Sequence, residues 1–288
     1  MSRDDTGPLR EPQHDRLKSW WLLACLIALM LPSAAAPVSP KPSTKRYPLR
    51  TLFAEADAIV VADVSAVTVV GTNARCIRLD IRETLRGPAS PTRAVGVIPS
   101  LCEGPPPYPE GESVLAFLTT HWPTSPPRPS CSGTEEVLRT LGRSRGSKAL
   151  KPRSLLAHVE ALRRLDEIER LDSEADRRAA LADWVVSLVE EPLTREEGLY
   201  DLTVFSSNQR KSEPVRIQRF GPELHARLMA VFEALPADDP HLLQLATVLT
   251  RSPSQRAERA LRSRLESLAK DPTVAPDVVD QLRAAVAR

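Results

Sequence analysis

The chain has 288 residues, with 39 Lys and Arg against 37 Asp and Glu for a formal net charge of +2. That balance excludes a molecule-wide field that gathers nucleic acid. A composition of 42% hydrophobic and 26% charged residues excludes wholesale disorder. The length accommodates two domains of about 100–150 residues each. Proline (27) exceeds glycine (11), which favours rigid loops and proline-started helices over flexible tracts. Arginine far outnumbers lysine and alanine is abundant, as in a protein from a GC-rich bacterial gene.

Residues 1–35 read as a secretory signal. Arg16 and Lys18 precede an apolar run from Trp20 to Leu31, and Pro32 and the small residues Ser33 to Ala36 follow. The run is about a dozen residues, short of the roughly 20 a spanning helix needs. Cleavage after Ala35 is expected; an uncleaved inner-membrane signal anchor is the alternative, and the only form that would attach the chain to a membrane. Cys25 sits early in the apolar run, the wrong place for a lipoprotein cleavage site. The expected location is therefore periplasmic or extracellular. The exported chain retains Cys76, Cys102 and Cys131. Thiols tend to pair in such compartments, and three cannot all pair internally.

After a proline-rich leader over 36–50, residues 51–133 read as β. "AIVVADVSAVTVV" is rich in β-branched residues. In "CIRLDIRETL", Ile77, Leu79 and Ile81 alternate with Arg78, Asp80 and Arg82, which predicts one buried and one wet face. "RGP" turns the chain, "RAVGVIP" supplies a third strand, and "SVLAFLTT" a fourth after the turn at Gly111. Short strands with Gly/Pro punctuation predict a small antiparallel barrel in preference to a sandwich.

The succession "EADAIVVADV", "IRETLRG", "C…PYPEGESVLAFL" and "CSGT", over about Leu52 to Leu141, resembles the netrin-like domain shared with tissue inhibitors of metalloproteinases. The resemblance implies a five-stranded barrel of the oligonucleotide/oligosaccharide-binding (OB) type. It also implies a disulfide between Cys102 and Cys131, closing a loop of about 30 residues and stabilising by roughly 3–4 kcal/mol. Inhibitors of that family present Cys-x-Cys at the mature N-terminus to chelate the protease zinc. The mature start here, "APVSPKPSTKRYP", holds no cysteine, so that mechanism is not carried over.

Residues 134–153 read as a basic flexible linker, in which "TEEVLRTL" has the pattern of two helical turns. Gly142 to Gly146 satisfies G-x-S-x-G, but no apolar strand is expected before it, which argues against a nucleophile elbow at Ser144. Arg143, Arg145, Lys148 and Lys151 form a possible basic binding patch, joined by Arg210, Lys211, Arg216 and Arg219 in the long break from Ser206 to Gly221. Ordinary solvated charges are the simpler reading of the linker.

Residues 154–288 read as an all-α stack of helical hairpins. Leu155, Val159, Leu162, Leu165 and Ile168 form an apolar stripe. Ser173 with Asp176, and Thr194 with Glu197, have capping-box spacing. Pro222, Pro240, Pro253 and Pro276 mark first positions of later helices. "TREEGLYDL" loosely resembles a HEAT-type repeat helix, without a fixed period.

The histidines are scattered and no metal, dinucleotide or phosphate-loop motif occurs, so no cofactor and no catalysis are expected. Phe117 is the only aromatic on the predicted strands, which leaves a nucleic-acid stacking platform missing. The fold expected is α+β in two domains: a small antiparallel OB-like β-barrel, then the helical-hairpin stack. The function expected is that of an exported bacterial binding or scaffold protein acting on an unidentified protein partner. A secreted protease inhibitor is the alternative, and a hydrolase a more distant one.

Overall fold

The computed structural model describes residues 48–71, 74–97, 108–122, 124, 128–131, 136–141, 146–203, 220–251, 255–272, 274 and 276–286. The expected signal and most of the leader lie outside them. The chain is mixed α+β. The described residues open with a short helix α1 (Leu49–Glu55), followed by β1 (Ala58–Val70), β2 (Ala74–Arg86), β3 (Thr92–Val97), β4 (Ser113–Thr119), β5 (Val137–Thr140) and β6 (Ser147–Ala149). Seven further helices follow among the described residues. They are α2 (Pro152–Glu169), α3 (Glu174–Glu190), α4 (Arg195–Thr203), α5 (Pro222–Ala234), α6 (Leu242–Leu249), α7 (Gln255–Lys270) and α8 (Pro276–Val286).

The strands form one six-stranded sheet in the order β1-β2-β3-β5-β4-β6, and β1 also pairs with β4, so five strands close into a ring. Every pairing is antiparallel except β3 with β5, which run parallel. Register shifts between Ile59 and Val60, Val61 and Ala62, and Val64 and Ala66 bend β1 along β2. Gly87 ends β2 at φ 87°, and a Cβ there would lie 2.4 Å from the Asp57 carbonyl oxygen. Only glycine satisfies both the backbone and the space.

Period-two alternation sorts the side chains of β1 and β4 into two cores. Ala58, Val60, Ala62 and Val64 of β1, with Val114, Ala116 and Leu118 of β4, fill the ring with Ile77, Leu79, Val95, Val97 and Leu138. Ile59, Val61, Leu115 and Phe117 point the other way, into a core shared with α1 and the helices, where Trp184 and Phe232 are fully buried. On β2 the expected alternation holds: Ile77 and Leu79 are buried while Arg78, Asp80 and Arg82 are exposed.

One apolar core takes in α1, β1, β4 and the later helices, with residues from both sides of the boundary expected near residue 153. The stretch expected to be a linker carries strands. Val137 and Leu138 of "EEVLRTL" are buried in β5, because they complete the ring between β3 and β4 instead of starting a helix.

Polar contacts fasten the ring to its surroundings. Asp57 Oδ2 accepts from the Thr120 amide (2.7 Å), the Thr119 hydroxyl (2.9 Å) and the Thr120 hydroxyl (2.9 Å), tying the start of β1 to the end of β4. The amide bond first, then the hydroxyls, hold the Asp57 carboxyl below the usual range. Arg86 donates to the Phe53 carbonyl at 2.5 Å and stacks 4.8 Å over the Phe53 ring, locking α1 to β2.

Among the helices, Ser173 caps α3 as expected, its hydroxyl accepting from the Asp176 amide at 3.3 Å. Pro222 and Pro276 occupy first positions, whereas Pro240 lies in the turn before α6 and Pro253 lies outside the described residues. Thr194 does not form the expected box, since its hydroxyl donates to the Leu188 carbonyl at 3.1 Å. The Trp184 indole N–H donates to the Ala161 carbonyl at 2.8 Å, joining α2 to α3. Arg227 of α5 bridges to Glu190 with bonds of 2.7 and 2.5 Å and also reaches Asp183, which Arg164 of α2 meets from the other side. Burial alone would raise the Asp183 carboxyl, but Arg227 and Arg164 outweigh it and hold the group below its ordinary range. Contacts also join α3 with α5 and α6 with α8, so the helices pack as a bundle with non-sequential neighbours.

Because β4 belongs to both cores, Phe117→Ala is expected to cost about 3–5 kcal/mol and to lower ring and helices together. Urea unfolding followed by near-UV and far-UV circular dichroism should show one coincident transition in the parent and the variant. Two separated transitions would mean the cores are independent.

Candidate functional site

The polar groups best placed to matter lie in the seam between the ring and the helices. Helix α4 carries Glu197 and Asp201 four residues apart, hence on one face. Glycine at position 198 lets that helix approach α3, since a Cβ there would sit 2.8 Å from Leu188 and Val189. The approach carries Asp201 against α1 and Glu197 against β6.

Asp201 Oδ1 accepts from Arg50 at 3.3 Å, with side-chain exposures of only 3% and 10%. Burial pushes the Asp201 carboxyl up, Arg50 partly offsets this, and the neighbouring Glu197 adds to the rise. Glu197 is paired in turn with Lys148 of β6, both largely buried. His158 of α2 borders this pair, with Nδ1 2.8 Å from the Ser154 carbonyl oxygen. A carbonyl only accepts, so Nδ1 carries the proton and Nε2 is the basic nitrogen. Burial is the main cause that pushes the His158 pKa down, and the Lys148 charge adds to it, while the Ser154 bond and Glu197 oppose.

A second polar cluster closes one end of the ring. The Tyr108 hydroxyl lies 2.8 Å from the Thr140 hydroxyl and also bonds Ser147. Burial pushes the phenol up to about 12, so Tyr108 stays protonated at every physiological pH.

Of the expected basic patch, Lys148 and Lys151 are the members that fall among the described residues. Lys148 is consumed by Glu197, while Lys151 is exposed just before α2. Arg143, Arg145, Arg210, Lys211, Arg216 and Arg219 lie outside the described residues. Ser144 of the G-x-S-x-G stretch also lies outside them. That stretch is preceded by strand β5, not by the expected helical turns, and followed by strand β6, whereas an elbow requires a helix after the serine. The described residues contain no group of three or more His, Cys, Asp or Glu able to hold a metal ion. No described helix is long and apolar enough to cross a membrane.

The disulfide differs from the expected one. Cys131 is bonded to Cys76, with Cα atoms 5.6 Å apart, and Cys102 lies outside the described residues. Cys76 stands on the outer face of β2, directly opposite Gly96 of β3. Trp122 and Pro129, from the stretch between β4 and β5, lie over Gly96 on the same face, where Cys131 meets Cys76. A 55-residue closed loop corresponds to about 4 kcal/mol in the chain-entropy account.

Arg50 and Asp201 of the seam went unnoticed in the sequence, Glu197 was read only as a capping partner of Thr194, and His158 only as one of the scattered histidines. The available signal was a charge set among apolar neighbours, Arg50 in "PLRTLF" and Asp201 in "LYDL". No family model matches the chain, and no curated protein matches it.

Arg50→Ala is expected to cost about 3–5 kcal/mol, because it strands the buried Asp201 carboxylate; Arg50→Met combined with Asp201→Leu should cost much less. Urea midpoints of the two variants test this. For His158 the folded state binds the proton less readily than the unfolded state. Its contribution is therefore favourable at neutral pH and shrinks as pH falls below the ordinary histidine value of 6.5. His158→Gln should flatten the fall in urea midpoint between pH 7.5 and 5; an unchanged slope would show that His158 does not supply it.

Proposed function

We propose that the protein is an exported bacterial binding or scaffold protein, acting through protein–protein contacts and without catalysis. The observation that carries this reading is the Cys76–Cys131 bond, since structural disulfides persist in oxidising compartments. The charged run, apolar run and small residues before Ala36 agree with that address. The buried ionisable groups of the seam support a non-catalytic role, because they are engaged with one another inside the molecule.

In this reading the ring is an OB-like barrel. Its closure in the order β1-β2-β3-β5-β4, the parallel β3–β5 pair and the filled interior support the assignment. The helical bundle backs the barrel and holds β1 and β4 in place. Partner contact then falls to the exposed outer face of β2 and to the outer helices.

Fractionated cells test the address. Protein from the periplasm or medium should begin at Ala36 and yield the 76–131 linked peptide under non-reducing digestion. Recovery from the cytoplasm with Met1 attached and all thiols reduced would overturn the reading. The mature protein, immobilised and exposed to envelope fractions, should retain a stoichiometric protein partner; retention of none would remove the binding role.

A further inference from the structure

Where the last strand hands over to the helices, the chain carries cations. From Lys148 to Ala157 every charged side chain is positive: Lys148, Lys151 and Arg153. They flank the start of α2, whose first turn holds no acidic residue and whose N-cap makes no side-chain bond. This is the positive end of the helix dipole, where added cations are unfavourable. Glu197 of α4 reaches this end, and Lys148 is paired with it.

His158 is the first buried residue of α2, only 4% exposed, while Lys151 to Ala157 before it are exposed or half-buried. Its Nδ1 proton is committed to the Ser154 carbonyl, so a further proton enters at Nε2. Lys148 of β6 and Glu197 of α4 act on the ring by their charges. Behind Glu197, Asp201 is held by Arg50 of α1. On α2 itself Arg153 and Glu160 are exposed, and farther along Arg163 and Arg164 pair with Glu83 of β2 and Asp183 of α3. With His158 neutral, Lys148, Glu197, Arg50 and Asp201 sum to zero. A proton on His158 leaves this buried cluster with a net positive charge, which is costly away from water.

We propose that His158 is an acid-operated release for the start of α2: protonation at Nε2 frees the stretch from Leu150 to His158 from the seam, while the ring and the rest of the helical core stay folded. The proposal does not depend on the binding role above.

The sign of the effect follows from the surroundings. Burial first, with the Lys148 charge beside it, holds the imidazole below its ordinary value of 6.5, against the Ser154 bond and Glu197. Once released into water the ring regains the ordinary value, so proton uptake favours the open form as pH falls through 6.5. Asp201 works in the opposite sense. Its carboxyl is pushed up by burial, so the closed form takes that proton more readily, and acid does not open the seam through it. Opening stops near His158 because the helix is anchored beyond it. Leu150 and Leu155 are only partly buried, whereas Val159, Leu162 and Leu165 lie in the core. Weakly held helix ends open while the core stays intact, the general pattern of local unfolding.

The test is hydrogen exchange on the full chain between pH 7.5 and 5, with each rate corrected for intrinsic exchange at that pH, beside an NMR titration of the His158 ring. Protection at Leu155 to His158 should fall at least about threefold as His158 takes up its proton, while 59–64, 114–116 and 184–189 keep theirs. His158→Gln retains a donor for the Ser154 carbonyl and should remove the pH dependence without loss of protection at pH 7.5. Should that variant not fold, the parent chain still decides, since the loss of protection must follow the His158 titration. Protection at 155–158 that is unchanged over this range would show that the start of α2 stays docked. A fall shared by the ring would show that the proton acts on the whole fold, and a fall that persists in His158→Gln would assign it to another group. Each of these three results overturns the release.

Discussion

Residues 58–62 of β1 and nearly all of β4 are buried on both faces, and the rest of the architecture follows from this. An antiparallel sheet ordinarily shows one face to water. Here residues 58, 60, 62 and 64 fill the ring while 59 and 61 enter the helical core, and β4 divides its side chains likewise. With no water on either side, the backbone groups of these strands must find all their partners in the ladders. The requirement is met because β1 pairs with β2 on one edge and β4 on the other. Asp57 and Arg86 then secure the ends where the ladders stop.

Charges in the seam answer a related need. Placing helices across a sheet buries whatever polar side chains the crossing elements carry, and a lone buried charge is costly. Helix α4 presents two carboxylates toward the sheet, and each meets a cation from a different element, Arg50 from α1 and Lys148 from β6. The two pairs fix how the helix is turned as well as where it lies. The Arg227, Asp183 and Glu190 contacts play a similar part among α2, α3 and α5.

Local features were legible in the sequence where one physical rule acted alone. The alternation in "CIRLDI" announced a strand with one wet face, and Ser173, Pro222 and Pro276 announced helix starts. Where tertiary context decided, the reading failed. "EEVLRTL" has helical spacing, yet the ring needed a fifth strand and took Val137 and Leu138 for it. Lys148 looked like a solvated linker charge because its partner Glu197 lies 49 residues away. The cysteine pairing followed a resemblance, whereas it depends on the path of the β4–β5 connection across β3. Thr194 and Glu197 had the right spacing for a cap, but both were claimed by other contacts.

The parallel pairing of β3 with β5 constrains the order in which the polypeptide can assemble. Hairpin β1–β2 and its neighbour β3 involve near residues and can form early, whereas β5 arrives some 40 positions after β3. Until β5 docks between β3 and β4 the ring stays open along that seam, with the apolar lining of β1 and β2 facing solvent. An open ring of this kind exposes apolar surface and unpaired strand edges, the features that favour aggregation during folding.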